Sequence, residues 1–108
     1  MPQPRIAILI PAFNEAGTIP SLLHELTAVL DGLPDYAFTV LFVDDGSSDD
    51  TATLLEQAAA TDPRIGVIEL SRNFGKEMAL TAGLQVLDAD AVIIMDADLQ
   101  HPPRYIPE

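Results

Sequence analysis

A chain of 108 residues with 48% apolar side chains is long enough to bury one core and too apolar to remain disordered. Its 17 acidic and 5 basic side chains give a formal charge of -12, which argues against nucleic-acid backbones and anionic membrane surfaces as direct partners. The absence of cysteine excludes a disulfide framework, and no apolar run approaches the ~18–20 residues of a membrane helix.

Arg5 to Pro11 reads as a short apolar strand covered on both faces, and Pro11 to Gly17 as a loop. The apolar start Ile6 to Ile10 is too short for a signal peptide, so the chain is expected to be soluble. Thr18 is placed to cap a helix that carries Pro20 in its first turn. Ile19, Leu22, Leu23, Leu26, Leu30 and Leu33 recur at helical spacing until Gly32 and Pro34 end it. Phe38 to Val43 is a second strand, rich in aromatic and β-branched residues, stopping at the turn-and-cap cluster Asp44-Asp45-Gly46-Ser47-Ser48-Asp49-Asp50. A helix follows from Thr51 to Ala60, apolar at Leu54, Leu55, Ala58 and Ala59, and Asp62-Pro63 closes it.

Ile65 to Leu70 is a weaker third strand, since Gly66 and Glu69 imply incomplete burial. Ser71-Arg72-Asn73-Phe74-Gly75-Lys76 is a polar loop opening a third helix. The inner face of that helix is expected at Met78, Ala79, Ala82, Gly83, Val86 and Leu87, small in the middle so that it lies close to a sheet. Ala91 to Met95 is a fourth, buried strand delivering Asp96-Ala97-Asp98-Leu99-Gln100, after which His101-Pro102-Pro103 begins a new segment.

This alternation predicts an α/β fold: a Rossmann-like parallel sheet with helices on both faces and right-handed crossovers. The doubly wound arrangement has strand order 3-2-1-4, with a crevice between the C-terminal ends of strands one and four. Three polar motifs then converge on one sheet edge: Pro11 to Glu15, Asp44 to Asp49, and Asp96 to Gln100.

Aspartates at i and i+2 where a strand ends can aim both carboxylates into that crevice. Magnesium or manganese prefers such oxygen ligands, commonly together with substrate phosphates, and Gln100 adds a neutral oxygen. The alternative is a strand-end turn whose acids are solvated. The Asp44 cluster is either a glycine turn with helix capping through Ser48, Asp49 or Asp50, or a carboxylate accepting a hydrogen bond from a base N–H. Pro11 to Glu15 is either a plain connector, or Phe13 supplies a flat surface for a base while Glu15 meets a ribose or base edge. Arg72 and Lys76 either approach an anion or lie at a solvated helix end. His101 falls beside the site, and His24 lies on the surface of its helix. An acidic chain can still bind a nucleoside diphosphate if a cation screens the two. Dinucleotide, P-loop and serine-hydrolase fingerprints are absent.

With these motifs laid out, the chain resembles the nucleotide-sugar-binding part of a family 2 glycosyltransferase of the GT-A fold. The nearest branch is that of dolichol-phosphate mannosyltransferases and polyprenyl-phosphate glycosyltransferases. The runs that carry the resemblance are Ile8 to Glu15, Val43 to Asp49, Leu70 to Glu77 and Met95 to Pro103. It implies that Pro11, Phe13, Glu15, Val43 and Asp45 line the nucleoside pocket, with Asp45 rather than Asp44 as acceptor, while Asp96 and Ala97 meet ribose and diphosphate. Asp98 and Gln100 would hold Mg2+ or Mn2+ with help from Asp96, making Asp96 and Asp98 the catalytic pair. The implied donor is a GDP- or UDP-sugar, the acceptor a polyprenyl phosphate, and the reaction an inverting transfer at the cytoplasmic face of a membrane.

Relatives in this family continue further. Residues 1–108 are therefore expected to be one truncated nucleotide-sugar-binding domain, inactive alone, with the acceptor site mostly elsewhere and an uncovered sheet edge prone to self-association. A non-catalytic nucleotide- or metal-binding module, or a transferase acting on a saccharide hydroxyl, are the alternatives. A phosphatase with Asp96 as nucleophile is disfavoured because that motif normally follows a first strand.

Overall fold

The computed structural model describes residues 3–97. Strands and helices alternate as β1 (Arg5–Ala12), α1 (Ile19–Asp31), β2 (Ala37–Asp44), α2 (Thr51–Thr61), β3 (Ile65–Glu69), α3 (Lys76–Val86) and β4 (Ala91–Ile94). The strands form one parallel sheet in the order β3-β2-β1-β4, as the sequence predicts.

The period-2 alternation of a strand divides the core between the two faces. Ile8, Ile10 and Ala12 of β1 and Phe38, Val40 and Phe42 of β2 meet Ile19, Leu22, Leu26 and Leu30 of α1 and Leu55 of α2. The intervening Leu9, Leu41 and Val43 face the other way and pack with Ala79 of α3. Helices therefore cover both faces, and Ala7 to Ile10 of β1 are fully buried. β3 lies at the sheet margin with its residues half-buried or exposed, in keeping with its weaker pattern.

Gly32 ends α1 where the sequence places its end, whereas the cap at its start departs from expectation. Gly32 ends the helix at φ -83°, without a left-handed turn; the last turn tightens instead, with N–H groups of Gly32 and Leu33 reaching Val29 and Leu30 carbonyls. Thr18 occupies the N-cap position but its side chain makes no capping bond. Its hydroxyl lies 2.9 Å from the Ala97 carbonyl oxygen and 3.1 Å from that of Glu15, so it holds the chain after β4.

α3 lies across β1 and β2, and the expected inner face needs correction. The buried stripe runs through Ala79 and Gly83, flanked by half-buried Leu80 and Leu87. Met78 and Val86 are rotated out of it and are 54% and 62% exposed. The closest approach sets this rotation: a Cβ on Gly83 would overlap the Leu9 side chain and crowd Val43. Small residues do let this helix lie close to the sheet.

β4 also departs from the expectation of a buried strand. It pairs with β1, and among the described residues nothing pairs with its outer edge. Since α3 sits over β1 and β2, Val92 and Ile94 are 39% and 50% exposed, whereas Met95 turns into the α1 side of the core. No helix among the described residues is long and apolar enough to cross a membrane.

Replacing Gly83 with Val would push α3 away from Leu9 and Val43. Overpacking of this kind costs roughly 1–3 kcal/mol, and the urea midpoint should fall with an unchanged m-value.

Candidate functional site

The C-terminal ends of β1, β2 and β4 and the start of α3 enclose a cleft of about 420 Å³. Pro11, Ala12, Phe13, Glu15, Asp45, Asn73, Gly75, Lys76, Asp96 and Ala97 line it. It sits where the strand order reverses between β1 and β4, the usual ligand position in an open α/β sheet. Strand alternation explains which acids reach it. Asp45 follows Val43 by two residues and so points to the α3 side, whereas Asp44 points away. Asp96 follows the outward Ile94 by two and likewise meets α3.

The Asp45 residue is 4% exposed, and its carboxylate is held by the loop after β3. Oδ1 accepts the Phe74 N–H at 2.9 Å, while Oδ2 accepts the Gly75 N–H at 3.0 Å and Asn73 Nδ2 at 3.1 Å. A carboxylate offers about four lone-pair positions, so these donors leave one acceptor position open. Gly46, at φ +72°, lets the two loops touch: a Cβ there would run into the backbone of Arg72 and Asn73. Gly75, at φ +98° and ψ 157°, takes a conformation open essentially to glycine alone, which begins α3 at Lys76.

The loop after β1 is oriented by two parallel relays from the acidic cluster. Asp44, 3% exposed, accepts the Ser47 hydroxyl, whose oxygen accepts the Asn14 N–H at 2.9 Å. Asp49 accepts the Thr51 hydroxyl, whose oxygen accepts the Glu15 N–H at 2.9 Å. Asn14, held at φ 53°, returns its Oδ1 to the Ser48 N–H at 2.8 Å. Asp49 also accepts the first N–H of α2, from Thr51 at 2.9 Å, so capping accounts for part of its role. The Thr51 hydroxyl, then the Thr51 N–H, hold the Asp49 carboxyl below the usual carboxylate range.

Across the cleft, Lys76 Nζ lies 2.6 Å from Asp96 Oδ1. The Asp96 side chain is 27% exposed, a carboxylate open to the cleft. Its oxygen chemistry fits a hard divalent cation. Among the described residues no group of three or more His, Cys, Asp or Glu gathers to hold a metal. Asp98, Gln100 and His101 lie outside the described residues.

Of the residues predicted for the nucleotide, Pro11, Phe13, Glu15, Asp45, Asp96 and Ala97 come together on this cleft, with Phe13 42% exposed. Val43 does not line it; its side chain is fully buried beneath, against α3. Sequence reasoning missed Asn73 and Gly75 as a wall of the cleft, and Thr18 as the tether of Ala97. The signal was present: the loop after β3 must emerge at the same edge of a parallel sheet as the others.

The family model "Glycosyl transferase family 2" matches residues 7–108, and the chain belongs to that family. Over 103 residues it is 44% identical to an undecaprenyl-phosphate 4-deoxy-4-formamido-L-arabinose transferase of Pseudomonas fluorescens, covering 94% of this chain and 30% of that protein. The mannosyltransferase PcManGT of Pyrobaculum calidifontis, solved with GDP-Man and Mn2+, superposes with a TM-score of 0.77 at 28% identity, covering 91% of this chain and 28% of its own. Glucosyl-3-phosphoglycerate synthase of Mycobacterium tuberculosis, solved with Mn2+, UDP and its glucosylated product, gives 0.74 at 28% identity, covering 96% and 37%. The chain thus has the GT-A arrangement, and spans about 30% of the length of the curated relative.

Asp45→Ala would leave the N–H groups of Phe74 and Gly75 without their acceptor. We expect a loss of about 2 kcal/mol or more in urea unfolding, with early proteolysis between Asn73 and Lys76. Asp49 has a lower folded than unfolded pKa, so its stabilisation is complete above the unfolded value and is lost as pH falls through the folded one. The Tm of the wild type should drop below about pH 4, and this drop should be smaller in Asp49→Asn, which starts from a lower Tm at neutral pH.

Proposed function

We propose that these residues form the donor-binding part of a glycosyltransferase that moves a sugar from a GDP- or UDP-sugar to a polyprenyl phosphate, at the cytoplasmic face of a membrane. The observation that carries this reading is the convergence of Phe13, Asp45 and Asp96 on one cleft at the β1–β4 switch point. Support for the donor class comes from solved neighbours bound to GDP-Man or UDP, and for the acceptor from the undecaprenyl-phosphate relative.

In this reading the exposed Phe13 ring offers a flat face to the base. Asp45 supplies its remaining acceptor position, and Glu15 meets the ribose or base edge. Asp96 and the Ala97 backbone, tethered by Thr18, face ribose and diphosphate. Asp98 and Gln100, with Asp96, would hold Mg2+ or Mn2+, which when bound supplies charge stabilisation for the departing nucleoside diphosphate. Transfer forms a bond from an acceptor phosphate oxygen to the anomeric carbon. The bond to the diphosphate oxygen breaks with its electron pair, inverting the carbon. An acceptor phosphate is already ionised near neutral pH, so this chemistry does not require a strong general base.

Calorimetric titration of GDP and UDP, with and without Mn2+, tests the proposal. One of the two should bind, and Mn2+ should tighten it at least several-fold. Asp98→Ala should abolish that Mn2+ effect while leaving metal-free binding unchanged. Binding indifferent to Mn2+ in the wild type would overturn the metal role, and binding of neither nucleotide would overturn the donor site.

A further inference from the structure

The cleft presents an electrostatic puzzle: Glu15, Asp45 and Asp96 all line it, yet a nucleoside diphosphate is itself strongly anionic. Among the described residues, Lys76 is the cationic side chain on its lining. The other described cations are engaged elsewhere: Arg5 with Asp88 and Asp90, Arg64 with Asp31 and Asp62, and Arg72 over the Phe74 ring. Lys76 begins α3 immediately after Gly75, whose N–H is fixed on Asp45, so its stem leaves a rigid point of the cleft wall. Its ammonium pairs with Asp96 at 2.6 Å, while its side chain remains 58% exposed.

We propose that Lys76 is an exchanging counter-ion. It neutralises Asp96 in the ligand-free cleft, and passes to a diphosphate oxygen of the donor when a divalent cation takes Asp96. The inference rests on the donor-site reading above. A cation bound to Asp96 and an ammonium 2.6 Å from the same carboxylate would repel each other, so metal alone must displace Lys76 at a cost. When the diphosphate enters with the metal, the displaced ammonium gains a new anionic partner. Metal and nucleotide therefore favour one another through Lys76, a reciprocal coupling between the two ligands. The four-carbon stem of lysine and its rotatable ammonium suit such a transfer between two anions.

Lys76→Met, which keeps the stem and removes the charge, separates the two halves of the exchange. Mn2+ alone, followed by the loss of its free-ion electron paramagnetic resonance signal, should bind Lys76→Met about two- to five-fold more tightly than wild type, the scale of an exposed ion pair. The nucleotide that wild type binds, GDP or UDP, should bind Lys76→Met about two- to five-fold more weakly in calorimetry at saturating Mn2+. Lys76→Arg should recover nucleotide binding, and thermal melts of both variants should match wild type. If either titration of Lys76→Met is unchanged or moves the other way while wild type binds nucleotide, the exchange is overturned and the donor site stands. If wild type binds neither GDP nor UDP, the donor reading fails and the exchange with it.

Discussion

The cleft depends on a buried carboxylate. Asp45 lies at the end of β2 with almost no solvent contact, and a charge so placed is tolerable only if hydrogen-bond donors surround it. Those donors come from one short segment, Asn73 to Gly75, nearly thirty positions on in the sequence. The β3–α3 loop is consequently pinned against the end of β2, although β3 is the strand farthest from the cleft. The same contact requires glycine at 46, where any Cβ would meet backbone rather than a yielding side chain. A sheet edge supplies the cleft floor; this one carboxylate supplies its far wall.

The acidic excess of the chain divides into distinct physical roles. Asp44 and Asp49 each hold a serine or threonine hydroxyl so that its oxygen accepts an N–H of the loop after β1, and Asp49 also accepts the Ala16 N–H of that loop at 3.3 Å. That loop contains Phe13 and Glu15, so the ring exposed to the cleft is placed by carboxylates that never reach it. Asp62 belongs to a different set: beside Arg64, whose guanidinium it binds at 2.8 Å, its carboxyl is held below the ordinary range, and Arg64 also reaches Asp31 just where α1 ends. Asp96 alone of this group faces the cleft with a cation for partner.

Short-range patterning made the fold legible. Apolar runs marked β1 and β2, helical spacing marked α1 and α2, and glycine, proline and aspartate marked their ends, so observed limits fall within a residue or two of those read from the sequence. Strand order followed from chain order and connection rules, and with it the convergence of Phe13, Asp45 and Asp96. What stayed hidden depends on side chains choosing among distant partners. Thr18 looks like a cap, and only the position of Ala97, 79 residues away, shows that its hydroxyl is used there. The rotation of α3 was equally hidden, because Ala79, Ala82, Gly83 and Val86 all fit a small or apolar face until Leu9 and Val43 fix the approach. β4 reads as a buried strand by composition, but burial of Val92 and Ile94 depends on what lies above them, and α3 covers β1 and β2 instead.

Packing and electrostatics meet at α3. Gly83 and Ala79 set the helix low on the sheet, over Leu9 and Val43, and the helix axis then fixes where its first residue emerges. Gly75, bonded to Asp45, fixes the same end from the loop side. With both constraints satisfied, Lys76 starts at the height of the cleft, within reach of a carboxylate on the neighbouring β4 terminus. A bulkier residue at 83 would raise the helix, and the ammonium would move with it. The small residues in the middle of α3, which by themselves indicate only close packing, thus determine how far positive charge reaches into an acid-lined site.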